Sequence, residues 1–508
     1  MKIIEKHLPN ALVSGVYSLF LFIFFATNAR ITNDADTGWH MAAGDLIRQL
    51  GRVPETDVWA YTTNGYPWFN IAWLFDLAIS ILRDIIGIEG LVILIAITSA
   101  LIIATVCDFC TRRNAGGLFT ALIVSLSGIM FASGVLLRPQ MVTFVCVLIF
   151  YILLHWYSKN WKEDDAHANC FKPLLALPFT MILWVNVHAG FIIGFLILGA
   201  FGVEALVNKK THLFRVLVLF GVLCLLAIPL NPLGFDLIPA IYRTLDSVLR
   251  PYIQEWFAPK ILKDFVITTY LVVFILATGK SKRLGIADNL IAIGMLLLAL
   301  SEARHKIIWA ILACPYIAIN LTDWIQNSTE LKFIKKLDKT VSDDCKSLKG
   351  KIVTFMVAIF LTVGFSVPSI RQIALPAGQE MGWQAEKVPF EEMKFIEKNY
   401  ADVRFFSHYN FGGYLIYFSN IKVFMDGRTE TAYPKKVAKD YVRFINMEYK
   451  WDEILNEYEI GGIFITKDDI HNKYFEDLPE WEKVFEGEIG VVYIRAMPSN
   501  DSLKTNDK

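Results

Sequence analysis

The chain has 508 residues, of which 55% are hydrophobic, 14% aromatic and only 19% charged, and its mean hydropathy is +0.43. That apolar content exceeds what one soluble core can bury, so the composition indicates a polytopic membrane protein and excludes an ordinary soluble domain. The 49 basic and 49 acidic side chains cancel, so no overall basic field favours nucleic-acid binding.

Eleven apolar runs are candidates for crossing a bilayer, which requires about 17 to 25 residues. They lie at 11–28, 89–110, 118–137, 141–157, 173–187, 190–207, 213–230, 263–279, 286–302, 306–322 and 352–368. The run at 71–86 contains three charged residues, so it is interpreted as an interfacial helix. Residues 1–29 are predicted to form a retained helix, because the bulky phenylalanine-rich run does not favour a cleavable signal peptide.

The positions of lysine and arginine predict the topology. With 71–86 excluded from the spans, alternate loops receive the basic clusters at 112–113, 159–172, 209–210, 280–283 and 332–349, all on the side of the N-terminus. By the positive-inside rule, the N-terminus is cytoplasmic and the C-terminus is external. The predicted domains are a transmembrane domain at 1–368, with external loops 29–88 and 231–262, and an external α/β domain at 369–508.

Two carboxylates and an imidazole follow the first apolar run directly. Asp34, Asp36 and His40 lie on a loop rich in aromatic residues. Ionisable groups at a bilayer surface are candidates for chemistry on a lipid-borne substrate. A structural alternative is that the aspartates cap the helix predicted at 38–50, because aspartate accepts first-turn N–H groups. Asp36 could do both.

Four tryptophans, Trp39, Trp59, Trp68 and Trp73, lie on or beside this loop. Their simplest interpretation is an aromatic belt at the membrane interface, although aromatic rings also stack on sugars.

More polar groups fall on the same external side: Arg138, His188, Glu255 with Trp256, and Arg304 with His305. Acids, imidazoles and arginines on one membrane face are what an outward-opening catalytic cleft requires. Arg138 could instead be a snorkelling anchor, and His188 a hydrogen-bonded turn residue. The basic cluster Arg304-His305-Lys306 stands where basic residues are disfavoured, which favours an anionic partner.

Residues 369–508 have a mixed pattern that predicts a small α/β sandwich. Helices are predicted at 390–400, 435–445 and 451–458, strands at 403–406, 422–425, 462–466 and 491–494, and a disordered tail at 497–508. His408, Asp426 and Arg428 are candidates for an acceptor path. The alternative for Asp426-Gly427-Arg428 is a turn with an ion pair.

A set of motifs is distributed along the chain. These are Asp36-x-x-Trp39-His40, Gly51-Arg52-Val53-Pro54, Tyr61 to Trp73, Leu137-Arg138-Pro139-Gln140, Trp184 to Gly190, Leu230 to Gly234, Ile253 to Trp256, Phe411 to Leu415 and Val423 to Arg428. As a set they resemble the GT-C superfamily of polytopic glycosyltransferases, most of all its poorly characterised bacterial members. The resemblance spans roughly residues 10 to 470 and depends on the set of motifs as a whole.

The resemblance implies transfer of a sugar from a polyprenyl-phosphate carrier to a glycan, lipid or protein acceptor, at the outer face of a bacterial cytoplasmic (inner) membrane. Asp36 best matches the GT-C aspartate that activates the acceptor, with Asp34 and His40 as orienting partners. Arg138 and Arg304 suit the leaving phosphate because their planar forks match its oxygens. His305, His188, Glu255 and Trp256 complete the predicted donor side.

Two departures from the GT-C pattern make a divalent metal doubtful. Asn70 stands in the segment where several GT-C enzymes have a second acid, and Arg138 where others have an acid at the end of the third membrane helix. The expectation is therefore no certain cofactor, and metal independence is favoured over a divalent metal. If a metal binds, the nearest ligands are Asp34, Asp36, His40, His188 and Glu255, but their spacing fits no metal-site pattern. Two alternatives stay open. A lipid-linked glycan transporter or flippase would use the same basic and aromatic cleft, and a non-catalytic envelope-assembly scaffold would explain why the second acid is missing.

Overall fold

A computed structural model describes residues 34–63, 65–162, 171–336, 338 and 388–496. Its α-helices are α1 (Ala35–Leu50), α2 (Trp73–Arg112), α3 (Gly117–Ala132), α4 (Gln140–Asn160), α5 (Ala176–Val185), α6 (Ile192–Val207), α7 (Thr211–Leu225), α8 (Leu237–Leu245), α9 (Phe265–Ala277), α10 (Ile286–Ser301), α11 (Lys306–Asn327), α12 (Phe390–Tyr400), α13 (Tyr409–Phe418), α14 (Lys435–Ile445), α15 (Glu453–Glu457) and α16 (His471–Glu476). The strands are β1 (Phe405–Ser407), β2 (Gly462–Thr466), β3 (Trp481–Glu486) and β4 (Gly490–Arg495).

The described residues form two compact units. The first, called the helical unit, contains residues 88–235 and the part of the chain from 251 to 338. The second, called the α/β unit, contains residues 34–87, 236–250 and 388–496. Two segments of the predicted external loops therefore belong to the same unit as the C-terminal region. The predicted domain boundary at 368 lies outside the described residues and stays a prediction.

The helical unit consists of apolar helices at the predicted spans. Within the described residues, five segments are long and apolar enough to cross a membrane: Trp73–Arg112, which begins in the α/β unit, Gln140–Asn160, Ala189–Val207, Thr211–Leu230 and Ala303–Asn327. Shorter apolar helices occupy Gly117–Ala132, Lys172–Val185, Phe265–Ala277 and Ile286–Ser301. The predicted spans 11–28 and 352–368 lie outside the described residues. The predicted fold class, a helical polytopic membrane protein with a C-terminal α/β domain, is confirmed.

Helix α2 is broken at Gly87, where the chain passes from the α/β unit to the helical unit. Gly87 has φ 73° and ψ 177°, a conformation that only glycine adopts readily. The residues before the break are those predicted as a separate helix at 71–86, and the residues after it are those of the predicted span. The sequence therefore distinguished the two halves by their charge content, while an interfacial position of the first half stays a prediction.

The sheet of the α/β unit has the strand order β1-β2-β4-β3. Strands β1 and β2 are parallel, whereas β4 runs antiparallel to both β2 and β3. Buried residues of α12, α13 and the sheet, among them Ile396, Leu415, Phe405 and Phe464, form one apolar core. This core explains the helix at 390–400 and the strands β2 and β4, all of which the sequence predicted. The predicted helix at 435–445 is also present, and it buries Val437, Tyr441 and Phe444.

The strand predicted at 422–425 is wrong. Its strand pairing within the described residues is an isolated parallel bridge between Val423 and Ala60, with hydrogen bonds from Tyr61 N to Val423 O and from Val423 N to Trp59 O. The segment therefore pairs with the predicted external loop 29–88 (hereafter the first loop) rather than with the sheet. The run is apolar because it is buried between two parts of the α/β unit, and burial alone does not distinguish a strand from other extended chain.

Candidate functional site

Asp34 is the N-cap of α1. Its side chain accepts a hydrogen bond from the backbone N–H of Asp36 at 3.2 Å, and the hydroxyl of Thr37 lies 3.5 Å from its second oxygen. Asp34 is only 3% exposed. The structural alternative from the sequence therefore describes Asp34 well, because its carboxylate satisfies the first turn of the helix that carries Asp36.

Asp36 lies in the first turn of α1 and is partly buried. The indole N–H of Trp39, one turn further along the helix, donates a hydrogen bond to Asp36 Oδ1 at 3.1 Å. The helix N-terminus adds a favourable field for a negative charge at this position. Asp36 is therefore a carboxylate with a set orientation, which is what proton acceptance from a positioned hydroxyl requires.

His40 pairs with an acid that the sequence analysis did not include in the site. Its Nδ1 lies 2.6 Å from Asp76 Oδ1, and Asn70 donates to Asp76 Oδ2 at 2.8 Å. All three side chains are buried. The His40 ring also lies against Trp39, with 3.6 Å between the ring centroids. His40 thus packs against Trp39, whose indole N–H donates the hydrogen bond to Asp36.

Arg428 forms a buried ion cluster in the α/β unit. Its guanidinium donates to Asp57 Oδ1 at 2.5 Å and to both oxygens of Asp426 at 2.6 to 3.1 Å. The hydroxyl of Tyr433 donates to Asp426 Oδ2 at 2.5 Å. The guanidinium carbon also lies 4.8 Å from the ring centroid of each of two tryptophans, Trp59 and Trp68. These two rings enclose an arginine and so contribute to the ion cluster, and their place in an interfacial belt stays a prediction.

The cluster fixes the charges of its members. Burial alone would raise the pKa of Asp57, but the charge of Arg428 and hydrogen bonds from Ala60, Arg428 and Thr63 outweigh it, so the pKa lies below its usual value. Burial would lower the pKa of Arg428, but the charges of Asp426 and Asp57 raise it well above its usual value. Of the two interpretations of Asp426-Gly427-Arg428, the geometry supports the ion-paired turn. A part in an acceptor path stays a prediction.

His408 follows β1 and is the N-cap of α13. Its Nδ1 accepts a hydrogen bond from the backbone N–H of Asn410 at 3.2 Å. Burial lowers the pKa of His408, and the charge of Asp469 opposes this only in part. The side chain is therefore a neutral helix cap at pH 7. Its predicted place beside the acceptor is untested.

The donor-side residues lie in the helical unit, where five of the six form one cluster. Arg138 donates to Glu255 at 3.1 Å. Next to Glu255, the ring of Trp256 lies under the guanidinium of Arg304, 4.3 Å from centroid to carbon. Arg304 Nε donates to Glu302 at 2.7 Å, and Ala303 N donates to Phe257 O. The loop at 254–257 thus joins the two arginines.

Arg304 and His305 retain unused hydrogen-bonding groups. The Arg304 side chain makes one hydrogen bond to a described residue, from Nε to Glu302. Its two terminal nitrogens are therefore available for a ligand. The side chain of Arg304 is 31% exposed. His305 Nδ1 lies 3.8 Å from Glu302 and has no hydrogen-bond partner in the described part of the chain. A planar, partly exposed guanidinium with two free N–H₂ groups suits a phosphate.

His188 has a local structural role. Its Nδ1 accepts from Gly190 N at 3.1 Å and lies 2.8 Å from the hydroxyl of Thr143, which accepts from the Trp184 indole at 2.7 Å. His188 is thus the N-cap of a short 3₁₀ turn, as the turn alternative proposed. Thr143 lies one turn into α4, the helix that follows Arg138, so His188 and Arg138 are near the same end of that helix.

Several residues of these clusters were not among the predicted site residues, and they include Asn70, Asp76, Asp57, Glu302 and Tyr433. The sequence does contain an indication for Asp76, because an acid in the first turn of the otherwise apolar run 71–86 is a candidate for a buried, paired carboxylate. Over the ranges that the structure describes, no group of three or more His, Cys, Asp or Glu side chains could hold a metal ion.

The chain matches no protein-family model and no curated protein sequence. Solved structures do match. The crystal structure of the Archaeoglobus fulgidus oligosaccharyltransferase, tethered with an acceptor peptide containing the NVT sequon, matches 98% of this chain and 76% of that one, with TM-score 0.59 and 12% identity. That of ArnT from Cupriavidus metallidurans bound to undecaprenyl phosphate matches 96% and 99%, with TM-score 0.56 and 12% identity. Both are GT-C glycosyltransferases.

The chain has a GT-C-like fold. At 12% identity the likeness establishes the fold and leaves the chemistry to the residues. The sequence motifs and the whole-chain structural match agree on a GT-C-like, multi-pass membrane architecture. Asp36, together with Trp39, His40 and Asp76, belongs to the α/β unit of this GT-C-like fold. The cluster that contains Arg138 and Arg304 belongs to the helical unit.

Proposed function

We propose that the protein is a membrane glycosyltransferase that moves a sugar from a polyprenyl-phosphate-linked donor to an envelope acceptor. The observation that carries the proposal is the whole-chain fold likeness to ArnT, whose structure contains undecaprenyl phosphate. A lipid phosphate is a ligand that a multi-pass protein can take directly from the bilayer.

The donor phosphate is proposed to bind at Arg304, supported by Arg138. The Arg304 guanidinium is stacked on Trp256 and fixed at Nε by Glu302, which leaves its terminal edge for two parallel hydrogen bonds. Bidentate, charge-assisted bonds of this kind are short and strong. They would stabilise the negative charge that develops on the phosphate oxygen as it leaves the sugar.

Asp36 is proposed to accept the proton of the attacking acceptor hydroxyl. The oxygen of the acceptor hydroxyl forms a bond to the anomeric carbon of the donor sugar as the bond from that carbon to the phosphate oxygen breaks. The proton goes to Asp36, and the electron pair of the broken bond leaves with the polyprenyl phosphate. The Trp39 hydrogen bond supports this role, because it orients the carboxylate before the acceptor arrives.

The reaction is proposed to take place on the external face of a bacterial cytoplasmic membrane. The support is the alternation of basic clusters, which puts Asp36, Arg138 and Arg304 on the side opposite to the lysine-rich loops.

Lipid binding tests the donor proposal. Lipids extracted from the purified protein are identified by mass spectrometry, and a polyprenyl phosphate or polyprenyl-phospho-sugar is expected. Added undecaprenyl phosphate should also raise the melting temperature more than undecaprenol, which has the same chain without the phosphate. Arg304→Ala should abolish that difference. Arg112→Ala, which removes an exposed arginine paired with Asp108, should keep it. Only ordinary phospholipid, with equal effects of both added lipids, would contradict the proposal.

A further inference from the structure

Helix α13 packs closely against two neighbours within the α/β unit, at Gly412 and Gly413, which have no side chains. A Cβ atom on Gly413 would collide with the backbone carbonyl of Ala35 at the start of α1. A Cβ atom on Gly412 would lie 2.5 Å from Asp426 Cβ and 2.8 Å from Met425 O. The two consecutive glycines therefore allow α1 and the segment at Asp426 to approach the same helix from different sides.

The Asp426-Gly427-Arg428 turn consequently reaches Asp36. A Cβ atom on Gly427 would overlap Asp36 Oδ1. Gly427 is not among the residues with positive φ, so its backbone conformation is open to any amino acid. Among the described residues, the three atoms nearest to an added Cβ at position 427 all belong to the Asp36 carboxyl group.

The ion cluster prevents the turn from moving away. The backbone N–H of Arg428 donates to Asp426 Oδ1 at 2.9 Å, and the Arg428 side chain is held by Asp57 and Asp426 with no exposed surface. Asp57 belongs to the first loop, which is also bridged to Val423. A buried, multiply paired guanidinium is rigid, so an added methyl group at position 427 would displace the carboxylate rather than the turn.

We propose that Gly427 is a positioning residue for Asp36. The carboxylate is confined between the Gly427 backbone and the Trp39 indole N–H, and the C-terminal region thereby sets the orientation of an acid that lies some 390 residues earlier in the chain. The inference rests on the proposed function, because Asp36 is assigned there as the proton acceptor. Gly427 itself touches no substrate in this assignment.

The contact can be tested without any activity measurement. Gly427→Ala should lower the melting temperature of the purified protein, because the methyl group overlaps the carboxylate. In an Asp36→Ala background the same substitution should lower it much less, because the carboxylate is gone. Equal lowering in both backgrounds would overturn the contact. Gly461→Ala, where the nearest atom to an added Cβ is the side-chain Val403 Cγ1 at 3.1 Å, is the matched control.

The functional consequence needs kinetics on the purified full-length protein. Gly427→Ala should lower kcat by roughly 10- to 100-fold, the usual effect of a misplaced catalytic group, without changing KM for the lipid donor. In an Asp36→Asn background it should cause no further loss. Wild-type kcat in Gly427→Ala, or the same fold-loss in both backgrounds, overturns the inference alone. Full kcat in Asp36→Asn overturns the proposed role of Asp36 and the inference with it.

Discussion

His40 and Asp76 join the two helices of the first loop through a buried contact of 2.6 Å between Nδ1 and Oδ1. Asp76 has no exposed surface, and its second oxygen accepts from Asn70. Next to this pair, a Cβ atom on Gly44 would collide with the Asp76 carbonyl, so α1 and α2 touch through their backbones. The pair therefore fixes the helix that carries Asp36 to the helix that follows.

Removing Asp76 should destabilise the protein. Asp76→Ala leaves His40 and Asn70 without their acceptor, which costs about 1–3 kcal/mol for a buried group. Asp76→Asn retains one acceptor oxygen and should lose less. Thermal unfolding followed by tryptophan fluorescence measures both, with Glu459→Ala, at an exposed ion pair with Arg404, as the control. Equal losses for Asp76→Ala and Glu459→Ala would contradict a structural role for the His40–Asp76 contact.

The contribution of Asp57 to stability should depend on pH. Its pKa is lower in the folded protein than its usual value near 4, so its contribution is fully present above that usual value. It is lost as pH falls through the lower, folded-state pKa. Asp57→Asn should therefore cost about 1.5–3 kcal/mol near neutral pH, and the difference from wild type should shrink below about pH 4. Chemical unfolding at several pH values measures this, and a constant difference would be evidence against an ionised Asp57.

The sequence predicted what is local. Apolar runs of sufficient length became helices, and the Asp34 cap involves a residue only two positions away, so the pattern contains the needed information. Asp36 was singled out for its place after the first apolar run, and the structure adds the Trp39 hydrogen bond one helical turn away.

What the sequence did not predict involves partners that are distant in the chain. Trp59 and Trp68 were interpreted as an interfacial belt, because composition near a membrane run gives no indication of an arginine at position 428. Asp76 was weighed only as a charge that disfavours a membrane span, since its partner His40 is 36 residues earlier. Non-local pairs of this kind follow from tertiary packing, which neither periodicity nor propensity encodes.

Arg304 should act on donor binding. Arg304→Ala removes the stacked fork, and the loss of charge-assisted hydrogen bonds, about 1.5–3 kcal/mol, corresponds to an increase of roughly 10- to 100-fold in the Kd for the lipid phosphate. Arg304→Lys should restore binding only in part, because a point charge does not replace a bidentate fork. Binding of undecaprenyl phosphate to the purified variants measures the effect. Unchanged affinity in both variants would reduce Arg304 to an anchor at a helix end.

Cysteine labelling should test the topology. Tyr449 and Phe333 are both highly exposed. Tyr449 is predicted to lie on the external side of the membrane and Phe333 on the cytoplasmic side. After the seven native cysteines are replaced, Tyr449→Cys should react with an impermeant thiol reagent in intact spheroplasts, and Phe333→Cys should react only after lysis. Labelling of Phe333→Cys alone in intact cells would invert the topology.

Asp36→Asn is the decisive substitution for the proposed chemistry. The amide has the shape of the carboxylate and keeps an acceptor for the Trp39 indole N–H, so the protein should fold and insert normally. It cannot accept the proton of the acceptor hydroxyl, so transfer should fall by about 100-fold or more. Asp34→Asn should cost less activity, because Asp34 caps α1 and acts on Asp36 only through the helix. Both variants are compared with wild type on membranes with matched protein levels, and the glycan product is identified by its mass shift. Full transfer by Asp36→Asn would refute the assignment, whereas loss of the protein itself would indicate that Asp36 is needed chiefly for the fold.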